Sequence, residues 1–260
     1  MALPRLIKFN VKRPRRTLVS VKLAEWLKSP LGQAILQTEK DIATHILPLR
    51  FGYHALYCGL GDPDALFEES PIAHKFIAAE QPLDDVWLPF VYGEPTALPL
   101  ANDSVDLVVL QHSLDFEQNP HQVLREAARV LIPGGSMVIM GFNPWSVWWL
   151  WRLGHFHTQE APWAARFISP THLNDWLKLL DLDIEGCETG YYLPPWQGLA
   201  TADKFKKFRQ VAERFFTKQG AVYVLVAKKN VSCVTPVLPK WRMGRRQLLN
   251  RPLINREKIE

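Results

Sequence analysis

The sequence predicts an α/β protein built on a doubly wound, mostly parallel sheet, and three observations carry that prediction. Short apolar runs recur from residue 51 onward, each closed by a turn or helix signal. Helical patterns fall between the later runs, as in chains that alternate strands and helices. The first run ends in Gly59-Leu60-Gly61, a sharp turn at the end of a strand.

Before the first run, Leu23, Trp26, Leu27, Leu31, Ile35, Leu36, Ile42 and Ile46 recur at helical spacing. Pro30 and Gly32 divide that stretch into two helices. The strand runs are 53–58, 75–79 ending at Glu80, 87–92 ending in Gly93-Glu94, 105–110, and 136–142. Asp62 is placed to cap a helix after the first run, with Pro63 at its first position. Between the fourth and fifth runs lies a clear helix. Asn119 is its expected N-cap and Pro120 its first residue, with Val123, Leu124, Ala127, Ala128 and Leu131 on its apolar face. Pro133-Gly134-Gly135 turns the chain into the next strand. A helix from Pro170 follows, with Leu173, Trp176, Leu177 and Leu180 on one side, and late strands are expected over 182–188 and 221–227.

Composition sets outer bounds. At 260 residues, 47% apolar and 22% charged, the chain suits one large globular domain with additions. Cys58, Cys187 and Cys233 are odd in number and far apart, which fits neither a disulfide framework nor a Cys-x-x-Cys metal site. A reducing, cytoplasmic setting is therefore the expectation. No apolar run reaches the roughly 20 residues of a membrane-spanning helix. The N-terminus lacks the apolar core of a secretion signal, and its two prolines and few hydroxyls argue against an organellar leader. His155 and His157 lack acidic or cysteine partners at ligand spacing, so no metal is expected.

The net charge of +5 conceals an asymmetry. Residues 1–22 carry seven Lys/Arg and no acid, and residues 228–260 carry nine against Glu257 and Glu260, leaving 15 basic and 24 acidic residues between them. Four regions follow: a basic arm (1–22), a helical segment (23–50), the α/β domain (51–227) and a basic tail (228–260). Basic ends suit polyanions, either nucleic acid or an anionic membrane surface; the plainer alternative is solvated tails.

The stretch from Val91 to Phe142 resembles the core of class I S-adenosylmethionine-dependent methyltransferases of the type 11 group. The residues that carry the resemblance are Val91-Tyr92-Gly93-Glu94-Pro95-Thr96-Ala97-Leu98-Pro99, Asp103-Ser104-Val105-Asp106-Leu107-Val108-Val109 and Arg125 through Gly135. With the first strand and Glu80 it covers about residues 50–145, and more loosely up to 230. Asn143-Pro144-Trp145-Ser146 resembles a feature of a bacterial set of such proteins with unassigned acceptors. The resemblance implies a Rossmann-like, seven-stranded sheet in the order 3-2-1-4-5-7-6 with the seventh strand antiparallel, and the helices read from the spacing above precede it.

It also implies S-adenosylmethionine as cofactor, held at the carboxyl ends of the strands. The matching positions are Cys58, Gly59, Leu60 and Gly61 in the first turn, Glu80 for the ribose hydroxyls, Glu94 and Pro95 for the adenine, and Gln111 and His112 for the methionine end. The plain alternative for Glu80 and Glu94 is a pair of solvated residues at strand ends. Three departures stand out. Tyr57 occupies the place of an acid that helps hold the cofactor's ammonium; Pro63 replaces the third glycine; Pro95 lacks the N–H of the residue it replaces. Asp62 or Asp64 is the candidate substitute for the missing acid. Asp62-Pro63-Asp64 also argues against a dinucleotide, whose pyrophosphate favours free N–H groups and few carboxylates.

His112 is the candidate general base and Asn143 a candidate acceptor-site residue. Trp145, Trp148, Trp149, Trp151 and Phe156 form an aromatic segment readable as a lid on an apolar acceptor, a membrane-interface patch, or core. The expected activity is methyl transfer to an unassigned acceptor: a small molecule, a lipid-like compound or RNA. The other reading is a catalytically silent relative that binds nucleic acid or a protein through its basic ends.

Overall fold

The computed structural model describes residues 15–80, 86–154, 161–195 and 219–231. Expectations that fall on residues 1–14 and 232–260, and on His155, Phe156 and His157, lie outside the described residues.

Two helices lead in, α1 (Arg15–Leu27) and α2 (Pro30–Ile46). The break between them falls at Ser29-Pro30, where the Ser29 hydroxyl accepts from the Gly32 N–H at 3.1 Å. Helix α1 starts earlier than the apolar spacing suggests and takes in Arg15, Arg16 and Lys22 of the basic stretch. The sheet follows as β1 (His54–Gly59), β2 (His74–Ala79), β3 (Phe90–Tyr92), β4 (Val105–Gln111), β5 (Leu131–Phe142), β6 (Leu182–Gly190) and β7 (Val222–Lys229). Its order is β3-β2-β1-β4-β5-β7-β6. Strands β3, β2, β1, β4 and β5 pair in parallel, while β7 runs antiparallel between β5 and β6. This is the Rossmann-like arrangement expected above.

The remaining helices are α3 (Pro63–Leu66), α4 (Ser113–Phe116), α5 (Pro120–Val130), α6 (Val147–Gly154) and α7 (Pro170–Lys178). Asp62 caps α3 as expected, its carboxylate accepting from the Ala65 N–H at 3.1 Å. Asn119 precedes α5, but its side chain makes no capping bond; its backbone carbonyl takes the Gln122 N–H instead. Strand β5 begins five residues before the expected Ser136. Pro133-Gly134-Gly135 lies inside it, where the pairing with β4 shifts register between Val105 and Leu107.

Alternation along the strands builds a core on each face of the sheet. Leu56, Cys58, Val108, Leu110 and Met137 face α5 and α7 through Val123, Leu124, Ala127, Leu173 and Leu177. Ala55, Tyr57, Leu107, Val109 and Val138 face α2 and α3 through Ala43, Ile46 and Leu66. A third cluster caps the carboxyl side of the sheet, where Leu31 and Ile35 meet Phe142, Trp148, Tyr191 and Val222. Among the described residues no helix is long and apolar enough to cross a membrane.

Candidate active site

The carboxyl ends of β1 through β4 bring the predicted residues to one edge. Gly59 pairs with Gln111 across β1 and β4, and Ala79 pairs with Tyr92 across β2 and β3. Glu80 therefore follows β2 beside Gly93, whose N–H donates to the Ala79 carbonyl at 3.1 Å. Glu80 and Glu94 are both exposed. Pro95 is buried inside a tight turn closed by the Ala97 N–H on the Glu94 carbonyl, and the Thr96 hydroxyl donates to the Glu94 carboxylate at 3.1 Å. Cys58 is buried, and its carbonyl accepts from the Ser113 hydroxyl.

The first turn is tight enough to require its glycines. A Cβ on Gly59 would lie 2.5 Å from the Gln111 carbonyl and 2.8 Å from the Tyr57 hydroxyl. On Gly61 it would lie 2.1 Å from Gln111 Oε1. Leu60, between them, is half-buried. Tyr57, standing where an acid was expected, ties this turn together. Its hydroxyl accepts from the Gly61 N–H at 2.8 Å and donates to Gln111 Oε1 at 2.6 Å. Burial raises the Tyr57 pKa well above its ordinary value, so it stays a neutral donor.

From Gln111 a buried polar chain continues. Gln111 Nε2 donates to Glu39 Oε2 at 2.6 Å. Glu39 Oε1 pairs with His112 Nε2 at 2.9 Å. His112 Nδ1 binds Asp115 Oδ2 at 2.8 Å, and the Phe142 N–H donates to the same oxygen at 3.1 Å. Glu39, His112 and Asp115 are all buried. Burial alone would lower the pKa of His112, but the charge of Glu39 and the bonds to both carboxylates push it up to about 10. Burial raises that of Asp115, against the opposing pull of His112. The carboxylates take opposite nitrogens of the ring and do not converge on one point. No group of three candidate ligands placed for a metal occurs among the described residues.

His112 also has a left-handed backbone, φ 54° and ψ 10°, uncommon for a residue with a side chain. Its N–H donates to the Met140 carbonyl at 2.9 Å, and its ring is held from both sides. Strain of this kind persists only where the surroundings over-determine it.

Glu39 was missed in the sequence, although it stands at the centre of the buried stripe Leu31, Ile35, Glu39, Ala43 and Ile46 on α2. An acid in an apolar stripe is the signal. Asp115, three residues after His112, was also passed over. The two proposed substitutes for the missing acid are engaged elsewhere: Asp62 caps α3, and Asp64 accepts from the Trp87 N–H at 3.0 Å. Asn143 is buried, its amide donating to the Gly220 carbonyl at 2.9 Å and its carbonyl accepting from the Trp145 N–H at 3.0 Å. Those bonds shape the Asn143–Ser146 turn and join it to the entry of β7. The aromatic segment divides: Trp148 is 1% exposed and packs on Trp26, Phe142 and Tyr191, whereas Trp145 is 71% and Trp149 42% exposed.

The residues at this edge suit S-adenosylmethionine. The glycine turn admits a close backbone approach, and Glu80 and Glu94 offer acceptors for hydroxyl and amino groups.

Comparison with known proteins agrees. A family model described as a methyltransferase domain matches residues 67–139. YafS, a protein of Escherichia coli strain K12 described as uncharacterized, is 29% identical over 185 residues, 71% of this chain and 72% of its own length. The ubiquinone/menaquinone biosynthesis C-methyltransferase of Roseobacter denitrificans is 30% identical over 125 residues, which span 46% of this chain and 47% of that protein. A solved complex of a Haloferax volcanii methyltransferase with the Trm112 methyltransferase activator has the same fold, with a TM-score of 0.57 at 19% identity, covering 82% of this chain and 98% of that one. In its sequence matches and its strand order, the chain is similar to the class I S-adenosylmethionine-dependent methyltransferases.

Proposed function

We propose that this chain transfers a methyl group from S-adenosylmethionine to an apolar small molecule. The observation that carries the reading is the gathering of Gly59, Gly61, Glu80, Glu94 and Gln111 at the carboxyl ends of four adjacent parallel strands. That edge is where open α/β sheets bind ligands. When bound, the cofactor would supply an electrophilic methyl group on its sulfonium.

In this reading Gly59, Leu60 and Gly61, with the Cys58 carbonyl, form the turn that the ligand lies against. Glu80 takes the ribose hydroxyls, and Glu94 with Pro95 borders the base. Gln111 and His112 border the methionine end. His112, charged at neutral pH between two carboxylates, acts as a positioning residue and not as a base. Asn143 shapes the acceptor side through its turn. Exposed Trp145 and Trp149 flank that side and favour an apolar acceptor, as does the likeness to a quinone C-methyltransferase.

Calorimetry and thermal melting with S-adenosylmethionine and S-adenosylhomocysteine test the reading. Ligand at a hundredfold excess over Kd should stabilise the fold by about 2.7 kcal/mol. Absence of binding by both ligands at millimolar concentration would overturn it.

A further inference from the structure

The charge of the chain is divided sharply. Residues 1–22 carry seven Lys/Arg and no acid, whereas residues 23–227 carry 15 basic and 24 acidic residues. An anionic surface therefore attracts the end of the molecule that bears α1 and repels the acidic body, which orients the approach. Helix α1 takes in Arg15, Arg16 and Lys22 of that stretch and leaves Val21 and Lys22 exposed. Its other end is fixed to α6 and β5: the Trp26 ring meets the rings of Trp148 and Phe142 edge-on, each at 6.2 Å. The basic helix thus ends beside the carboxyl end of β5, next to the Asn143–Ser146 turn.

That turn and α6 expose apolar surface. Trp145, Val147 and Trp149 are all exposed, while Trp148 among them is buried with its indole N–H on the Leu193 carbonyl at 2.9 Å. Helix α6 is anchored from inside, so its outer rings stand on a fixed support. Large apolar side chains exposed together mark an interaction surface. From Asn143 to Gly154, Arg152 is the one Lys, Arg, Asp or Glu, and it lies over the Phe167 ring, 4.9 Å from the centroid. Single strands of nucleic acid are held by aromatic rings combined with a cationic groove along the backbone, and this segment lacks the cations. Tryptophans on an acid-free apolar segment, with basic charge gathered on a neighbouring helix, suit the headgroup layer of a bilayer instead.

We propose that the exposed face of Trp145, Val147 and Trp149 docks on an anionic lipid bilayer, with the basic N-terminal stretch and α1 supplying the electrostatic attraction. Docked in this way, the turn after β5 faces the bilayer. That is the side assigned above to the acceptor, so an apolar acceptor dissolved in the membrane reaches it without crossing water. This last consequence rests on the proposed function, whereas the docking itself does not, and the test separates the two.

The experiment measures partition of the full chain, without cofactor or acceptor, onto vesicles of phosphatidylcholine mixed with phosphatidylglycerol and onto vesicles of phosphatidylcholine alone. At low salt the anionic vesicles should be preferred on the order of a hundredfold, and the preference should shrink as salt is raised. Replacing both tryptophans (Trp145→Ala with Trp149→Ala) should weaken binding to the anionic vesicles roughly tenfold or more, through the apolar area no longer buried. Reversing Arg15, Arg16 and Lys22 to Glu should weaken it on the order of a hundredfold, from about fivefold per basic residue. Melting checks the fold of each variant; should the double replacement not fold, Trp145→Glu alone, at the most exposed ring, should weaken binding several-fold. Equal binding to both kinds of vesicle, or binding that the tryptophan replacements leave unchanged, overturns the proposal. Tighter binding to a single-stranded RNA oligonucleotide than to the anionic vesicles, lost with the same tryptophans, assigns the face to nucleic acid and also overturns it. No vesicle binding by a chain that still binds S-adenosylhomocysteine overturns the docking face alone; vesicle binding by a chain that binds no S-adenosylhomocysteine supports the face and overturns the cofactor reading.

Discussion

Replacing His112 with glutamine removes the one cation between two buried carboxylates while leaving a side chain of similar reach. The raised His112 pKa, from 6.5 to about 10, corresponds to an interaction on the order of 5 kcal/mol at about 1.4 kcal/mol per pH unit. Removing one member of a buried ion pair costs about 3–5 kcal/mol in measured cases, which agrees. For a chain of this size that is a fall of roughly 10 °C in Tm near neutral pH. The folded-state pKa lies above the unfolded one, so the contribution is complete below pH 6.5 and disappears as pH rises through about 10. The gap between the two proteins should therefore be widest near pH 6.5 and close towards pH 10. Urea unfolding followed by far-UV circular dichroism at pH 6.5, 8 and 9.5 measures it. A gap that does not change across that range would mean a neutral His112 and would refute the ion-pair network.

Two further pairs of substitutions distinguish fixed from yielding contacts. Gly59→Ala meets the Gln111 main-chain oxygen and should cost about 1–3 kcal/mol, whereas Gly61→Ala meets the end of the Gln111 side chain, which can move, and should cost less; urea midpoints compare them. Trp148→Ala should destabilise by about 3–5 kcal/mol and Trp145→Ala by less than about 0.5 kcal/mol, read from the same transitions.

The parallel strands and α5 were legible because burial imposes its period on the sequence. Val123, Leu124, Ala127 and Ala128 could face only a core. The same logic hid Glu39: the stripe Leu31, Ile35, Ala43, Ile46 identifies α2, and the acid inside it reads as an interruption until its partners across the chain are known. Those partners, Gln111 and His112, lie more than seventy residues away, and local pattern holds no record of such contacts. The tryptophan segment was ambiguous for a related reason. Trp145, Trp148 and Trp149 lie close together in sequence, and only their packing separates the buried ring from the exposed ones. The start of α1 was missed because its first residues, Arg15-Arg16-Thr17, carry no apolar spacing.

The placement of α2 bears on how the protein can be divided. The matched methyltransferase domain begins at residue 67, yet the carboxylate behind its glycine turn comes from residue 39. Helix α2 lies against the sheet so closely that a Cβ on Gly190 would come within 2.4 Å of Thr38 Cγ2, one residue from that acid. The helix is thereby fixed to β6, at the far edge of the sheet from the strands whose turn it serves. A fragment starting at residue 51 would keep every strand and lose one wall of its own interior, exposing His112 and the apolar face that Ile35 and Ala43 cover. The interior of the fold is closed by that helix as well as by the strands of the sheet.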